Sequence, residues 1–161
     1  MKKLVLAIAV LFSLNAAEAQ RSCFITKGSA FYRIVMPGNI PVGPDGKPRE
    51  MPVNEERFIY LLSSCKIKPA ITSIMYGTNG VSAVVNEETE KTVTVGNDPS
   101  GKQILLHAPK GYFFRRLDIT GTDSLPAESR PAKIWIRGTI ANKKFSLYIS
   151  KESRAEGMPA Y

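Results

Sequence analysis

The chain has 161 residues, 43% of them apolar and 22% charged, and its 22 Lys and Arg outweigh 14 Asp and Glu to give a net charge of +8. This is the size of one domain with a sizeable core. The cations are spread along the chain without a nucleic-acid-binding signature. The sequence therefore excludes a specific nucleic-acid domain and leaves general solubility or attraction to anionic partners.

The first residues have the pattern of a secretory leader. A pair of lysines precedes an apolar run over residues 4–14, and Ala17 and Ala19 are the small residues that a signal peptidase reads. We therefore predict a signal peptide over residues 1–19, cleavage before Gln20, and export to the periplasm or the extracellular space.

Other interpretations of the N-terminus fit less well. An apolar run of about a dozen residues is too short for a membrane anchor, which needs roughly 20. A lipid-attachment cysteine follows small or apolar residues, whereas Arg21 and Ser22 precede Cys23. No later segment is apolar enough to cross a bilayer, so we expect a single domain over residues 20–150 and a polar C-terminal tail over residues 151–161.

The chain contains two cysteines, Cys23 and Cys65. An exported chain meets an oxidising compartment, and an even number of cysteines favours pairing. We predict a Cys23–Cys65 disulfide, which the chain-entropy model values at roughly 4 kcal/mol. The alternative is a pair of buried free thiols.

Short β-type runs recur along the chain, separated by Gly, Pro, Asn and Asp, and no stretch keeps a helical period over three turns. This pattern predicts an all-β, antiparallel β-sandwich, immunoglobulin-like or a similar two-sheet fold, with about seven to nine strands. The predicted strands cover residues 31–36, 57–64, 70–76, 81–86, 91–95, 102–107, 112–119, 133–140 and 144–150.

The hairpin turns can be placed from local sequence and from parity. Asn79-Gly80, between apolar runs, predicts a tight turn. Further on, alternate isoleucines end at Ile140 and the next apolar set begins at Phe145. Both sets share a face if these residues are paired or offset by an even number, which favours a loop of two or four residues within 141–144.

Residues 37–56 interrupt the strand pattern. They contain five prolines and three glycines, and proline cannot donate to a strand ladder. We predict a long surface loop, either functional or merely mobile. A shorter break covers residues 121–131.

Gly96 to Lys102 has the spacing of a phosphate-binding loop, G-x-x-x-x-G-K. Gln103 follows where a Ser or Thr should bind magnesium, and a β-type run follows where a helix should begin. We predict a turn between strands, and no nucleotide or other cofactor.

The parts of common catalytic and metal sites are mostly missing. His107 is the only histidine, metal sites generally need more His or Cys ligands, and both cysteines are committed to the bridge. No G-x-S-x-G elbow accompanies His107. Of the acidic residues only Asp118 lies inside a predicted strand, so a hydrolase with paired carboxylates is a weak third hypothesis.

The last two predicted strands carry aromatic and basic residues opposite their apolar faces. If Ile140 pairs with Phe145, Arg137 faces Tyr148. Exposed aromatic residues beside arginine are typical of interface hot spots, although the same residues would be core if a second layer covered them. The candidate binding surface comprises Lys133, Trp135, Arg137, Lys144 and Tyr148, together with Tyr112 and Arg116 from the preceding strand.

These observations favour an exported, non-catalytic module that binds a protein partner or assembles in the cell envelope. The alternative is a binder of glycans or polyanions of the lipopolysaccharide type, for which affinity would fall steeply with salt. The sequence identifies neither the partner nor the oligomeric state.

Overall fold

The computed structural model describes residues 22–35, 44–45, 54–87, 91–120 and 133–156. The described part is all-β, as predicted, and contains ten strands, slightly more than expected. The predicted leader and nearly all of the Pro-rich segment lie outside it. The strands are β1 (Ile25–Val35), β2 (Asn54–Ser63), β3 (Ala70–Tyr76), β4 (Asn79–Glu87), β5 (Thr92–Asn97), β6 (Gln103–His107), β7 (Phe113–Thr120), β8 (Ile134–Ile140), β9 (Lys143–Ile149) and β10 (Glu152–Arg154).

The strands form two very unequal sheets. Eight strands are ordered β10-β1-β2-β7-β4-β3-β8-β9, and β5 and β6 form a separate hairpin. All pairs are antiparallel except β1 with β10. The large sheet curls until β9 lies beside β1, where a Cβ on Gly28 would stand 2.6 Å from Leu147 Cδ2. The large sheet is therefore a nearly closed barrel.

One apolar core fills the inside of this barrel. Because side chains alternate between the faces of a strand, every second residue of the central strands points inward. The fully buried members are Ile59, Leu61, Ile74, Tyr76, Leu117, Ile134 and Ile136.

A second apolar core lies on the outer side of β1, β2 and β7. Four aromatic rings, from Phe31, Phe58, Tyr60 and Phe114, lie 5.9–6.3 Å apart between centroids. Val93 and the rest of the β5–β6 hairpin cover them. Strands β1, β2 and β7 are therefore buried on both faces, and the fold has two layers of sheet at these strands.

The segment after residue 150, expected to be a polar tail, takes part in the fold as far as Glu156. Strand β10 pairs with β1, the amide of Ala155 donates to the carbonyl of Tyr32, and Glu156 exchanges two backbone hydrogen bonds with Asn97 of β5. A Cβ on Gly96 would collide with the Glu156 carbonyl. The segment thus fastens the β5–β6 hairpin to the barrel.

A buried ion pair holds β10 from inside the barrel. Arg57 Nη1 donates to Glu152 Oε2 at 2.8 Å with both side chains 1% exposed, and Arg57 Nη2 donates to Glu55 Oε2 at 2.8 Å. The Tyr76 hydroxyl donates to Glu152 Oε1 at 3.4 Å. Burial, reinforced by the nearby Glu152 carboxylate, raises the pKa of Tyr76 far above its ordinary value.

The predicted disulfide is confirmed. Cys23 and Cys65 are bridged, with their Cα atoms 5.4 Å apart. Beside the bridge, the amide of Phe24 donates to Ser64 Oγ and the amide of Ser64 donates to the carbonyl of Phe24. The bridge ties the entry of β1 to the exit of β2, and a bridged pair is typical of an oxidising compartment.

The β8–β9 turn is confirmed and the earlier turn is corrected. Ala141 and Asn142 form a two-residue loop, both with positive φ, and Ile140 pairs with Lys143 at an even offset from Phe145. The β3–β4 turn consists of Gly77 and Thr78, whereas Asn79-Gly80 begins β4. Gly77, with φ of 60°, supplies the positive φ that a tight hairpin needs at its first central position.

We predict that Gly138→Ala destabilises the protein. The added Cβ would collide with the carbonyl oxygen of Ala70 and stand 2.9 Å from the Phe145 ring. Such overpacking typically costs about 1–3 kcal/mol, so the midpoint of chemical unfolding should fall. The matched control is Gly80→Ala, whose Cβ would lie 3.7 Å from Met75 Sδ. Equal stabilities for the two variants would contradict the tight β3–β8 approach.

We also predict a dependence of stability on alkaline pH. Tyrosine in the unfolded chain ionises near pH 10, whereas the raised pKa of folded Tyr76 keeps it protonated, so the free energy of unfolding should fall as pH rises above about 10. Tyr76→Phe should reduce that slope, measured by denaturant unfolding from pH 8 to 11. The control is Tyr148→Phe, which removes an exposed hydroxyl. If Tyr76→Phe changes the slope of unfolding free energy against pH no more than this control does, Tyr76 is not the source of the alkaline dependence.

Candidate functional site

The β8–β9 hairpin places the predicted surface residues on the outside of the barrel. Ile134 and Ile136 alternate inward and are fully buried, so Trp135 and Arg137 point outward. The two-residue loop sets the register in which Trp135 pairs with Tyr148. The β5–β6 hairpin packs over β1, β2 and β7, so no second layer lies over these outward side chains in the described part.

Trp135 and Tyr148 form an exposed aromatic pair. Their ring centroids are 4.8 Å apart with the planes tilted by 43°, and each residue is 43% exposed. The alternative that these aromatics belong to the core is therefore wrong. The expected pairing of Arg137 with Tyr148 is also wrong, because the shorter loop places Arg137 opposite Ser146.

The surroundings of this pair are basic. Arg137, Lys133 and Lys144 are exposed on the same outer side, and strands β3, β8 and β9 contain no Asp or Glu. Charges of one sign with no counter-charge on these strands create a positive local potential. We call the surface formed by Lys133, Trp135, Arg137, Lys144 and Tyr148 the aromatic–basic face.

Met75 belongs beside this face and was missed in the sequence. It lies on β3 directly opposite Trp135, and directly opposed side chains in a sheet are close neighbours. A bulge between Ile71 and Ser73 sets the β3–β8 register. The alternation of β3 hinted at an outward Met75, but its pairing partner depends on a bulge that no sequence signal marks.

Arg116 and Tyr112 lie elsewhere. The strand order puts β4 and β3 between β7 and β8. Arg116 Nε donates to Asp118 Oδ1 at 2.6 Å, and its guanidinium carbon lies 4.6 Å from the centroid of the Phe58 ring. Tyr112 precedes β7 in a turn in which its amide donates to the Pro109 carbonyl. Neither residue contributes to the aromatic–basic face.

Carboxylates do gather on the outer side of β2 and β7, but each is bound to arginine. Glu56 accepts from Arg33 and Asp118 from Arg116. Asp118 also accepts a short hydrogen bond from Asn86. The cluster is an ion-pair network between neighbouring strands.

Gly96 to Lys102 connects β5 with β6 as predicted. The Asp98 carboxylate occupies the position that a phosphate would need, because its Oδ1 accepts from the amides of Ser100 and Lys102 at 2.9 Å and from the Ser100 hydroxyl at 2.6 Å. These hydrogen bonds, that from the Ser100 hydroxyl first, lower the pKa of Asp98. His107 ends β6, with its Nδ1 3.0 Å from Thr92 Oγ1.

The described ranges contain no helix long and apolar enough to cross a bilayer. They also contain no group of three His, Cys, Asp or Glu side chains arranged to hold a metal ion.

Comparison with known proteins gives no relative. No protein-family model matches the chain, and no curated protein and no solved structure shows significant similarity to it. Any function must therefore be argued from the geometry of the aromatic–basic face and its surroundings.

Proposed function

We propose that this chain is an exported, non-catalytic module that binds an acidic partner protein through the aromatic–basic face. The observation that carries the proposal is the Trp135–Tyr148 pair, which leaves two large rings in solvent. These rings lie on strands β8 and β9, which together with the adjacent β3 contain no Asp or Glu. The partner would be a component of the cell envelope or of the extracellular medium.

The composition of this face supports a protein partner. Trp, Tyr and Arg are the residues most enriched at interface hot spots, and hot spots cluster near the centre of an interface. In the proposed interface Trp135 and Tyr148 form the centre. Arg137 lies two residues further along β8, on the same face and opposite Ser146. Lys133 and Lys144 are placed at the rim, where complementary charge mainly accelerates association.

Export is supported by the leader pattern and by the disulfide. A bridge between Cys23 and Cys65 persists where the environment is oxidising. The second candidate function, binding of an acidic glycan, is favoured by a groove that adjoins the aromatic–basic face at Tyr148.

We predict that the mature chain begins at Gln20. Expressed with its native N-terminus in a host with a general secretory system, it should lose residues 1–19, and its net charge should change from +8 to +7 because Lys2, Lys3 and Glu18 are removed. Intact mass and N-terminal sequencing of the secreted or periplasmic fraction measure this. A chain that keeps residues 1–19 and stays in the cytoplasm would contradict export.

We predict that combining Trp135→Ala, Arg137→Ala and Tyr148→Ala abolishes partner capture. The purified triple variant and wild type are immobilised and exposed to envelope extract, and the captured proteins are compared by quantitative mass spectrometry. A hot-spot truncation costs about 2 kcal/mol or more, so recovery of specific partners should fall at least about tenfold.

The matched control removes three exposed side chains near the disulfide, by Phe24→Ala, Ile67→Ala and Lys68→Ala. Both variants should keep the wild-type unfolding transition to within a few degrees, which separates loss of binding from loss of fold. Recovery of the same partners by wild type and by the Trp135, Arg137 and Tyr148 variant would refute the proposed function.

A further inference from the structure

A groove runs along the seam where the barrel nearly closes. It is bounded on one side by β1 and on the other by the chain as it passes from β9 into β10, and its volume is about 290 Å³. This lies at the lower end of the volumes of ligand-binding clefts, which begin at roughly 300 Å³, so the groove suits only a small group. Its principal lining residues are Gly28, Ser29, Tyr148, Ser150, Lys151 and Ser153.

The groove exists because the chain changes partners at this point. Strand β9 pairs with β8, whereas β10, only two residues later, pairs with β1. Strands β1 and β9 share no hydrogen-bond ladder in the described part of the chain. The shift across Ser150 and Lys151 leaves an open crevice on the outer surface, floored by Ala30 and Ile149.

The lining carries polar groups that the protein itself does not use. Within the described ranges, the hydroxyls of Ser29, Ser150 and Ser153 make no side-chain hydrogen bond. Each is both a donor and an acceptor. Lys151 adds an exposed ammonium group, and Tyr148 places its ring at the mouth. Hydroxyl groups, one cation and one aromatic face are what a sugar ring bearing a carboxylate or sulfate would need.

An extended peptide fits this seam poorly. Adding a strand to a sheet edge requires about 4.8 Å of space between the edge and the new strand. At the seam, however, β10 already occupies the edge of β1 from Ala30 to Tyr32, and the side chains of Leu147 and Ile149 fill the space beside Gly28. The ligand must therefore lie on the surface crevice, as a sugar does, and not between the strands.

A second groove continues the first. It has a volume of about 580 Å³ and shares Phe31, Lys151 and Ser153 with the first groove. Its lining adds Arg154, which is paired with Glu156 at 3.2 Å, and the carboxylates of Glu152 and Asp98. An anionic group would therefore be held at Lys151, where the two grooves meet, and not further along the second groove.

We infer that the first groove, which we call the seam groove, binds one end of an acidic oligosaccharide. One sugar ring packs on Tyr148 with its hydroxyls on the serines, and its anionic group lies near Lys151. The site goes beyond the proposed partner-protein surface: the two share Tyr148, but Lys151 and Ser150 lie outside the aromatic–basic face, and Trp135 and Arg137 lie outside the groove.

The test uses a galacturonate oligosaccharide as the acidic probe and a neutral glucose oligosaccharide of equal length as its counterpart. Each is titrated into ¹⁵N-labelled mature protein at low ionic strength. The galacturonate should shift the amides of Ser29, Ser150 and Ser153, and the shifts should weaken as salt is added. Lys151→Gln should weaken binding by about twofold to fivefold, the size of one exposed ion pair.

Matched variants separate this site from general charge attraction and from the proposed function. Lys68→Gln removes an exposed cation that lines neither groove, and it should leave binding unchanged. The Arg137→Ala variant, which leaves Trp135 packed on Tyr148, should bind the galacturonate normally even though it captures less of the partner protein. The prediction of lost partner capture and the prediction of weakened sugar binding in Lys151→Gln can therefore fail independently of each other.

Four results would overturn the inference. The first is the absence of amide shifts at the groove with the galacturonate, and the second is equal binding of the neutral oligosaccharide. The third is equal weakening by Lys68→Gln and Lys151→Gln, which would make the sugar a ligand of the basic surface in general. The fourth is a set of shifts confined to Trp135 and Arg137, which would make it a ligand of the aromatic–basic face.

Discussion

The arrangement of the molecule depends on one buried ion pair, that between Arg57 and Glu152. It holds a three-residue strand, β10, against β1 from inside the barrel. Such a pair is costly to desolvate, and removing one partner typically costs about 3–5 kcal/mol because a buried charge is left alone. The position of the β5–β6 hairpin follows from it, since Glu156, a few residues later, is hydrogen-bonded to Asn97.

The placement of this hairpin explains why the candidate surfaces lie where they do. It covers the outer aromatic cluster on β1, β2 and β7 and leaves β8 and β9 with one buried and one open face. Trp135 and Tyr148 are therefore solvent-exposed on paired strands joined by a two-residue loop, and not on a long connection. Rigid aromatic side chains lose little conformational entropy on binding, which favours their use in recognition.

Much of this architecture was predictable from local sequence, and the failures have identifiable causes. Period-two alternation identified most strands, including β8 and β9, and parity restricted their loop to lengths that keep Ile140 and Phe145 on one face. The loop length itself was open, because a two-residue loop requires positive φ at Ala141, which sequence does not signal. The register that pairs Trp135 with Tyr148 followed only from the structure.

Long-range contacts were the main feature that sequence did not reveal. The start of β1 was missed because Gly28 interrupts an apolar pattern, yet a glycine there allows β9 to approach. Strand β10 was missed because its inward residue is Glu152, whose partner Arg57 is distant in sequence. The seam groove likewise brings Ser29 beside Ser150 and Lys151, residues that share no motif.

The disulfide has a consequence for the integrity of the chain. Cys23 precedes β1 and Cys65 follows β2, so the bridge encloses the whole Pro-rich segment between them. A protease that cut once within that segment would produce two polypeptides that remain one covalent molecule. Because β1 and β2 are also paired along most of their length, such a nicked protein would keep its sheet order. Release of the N-terminal fragment would require both reduction of the bridge and separation of β1 from β2.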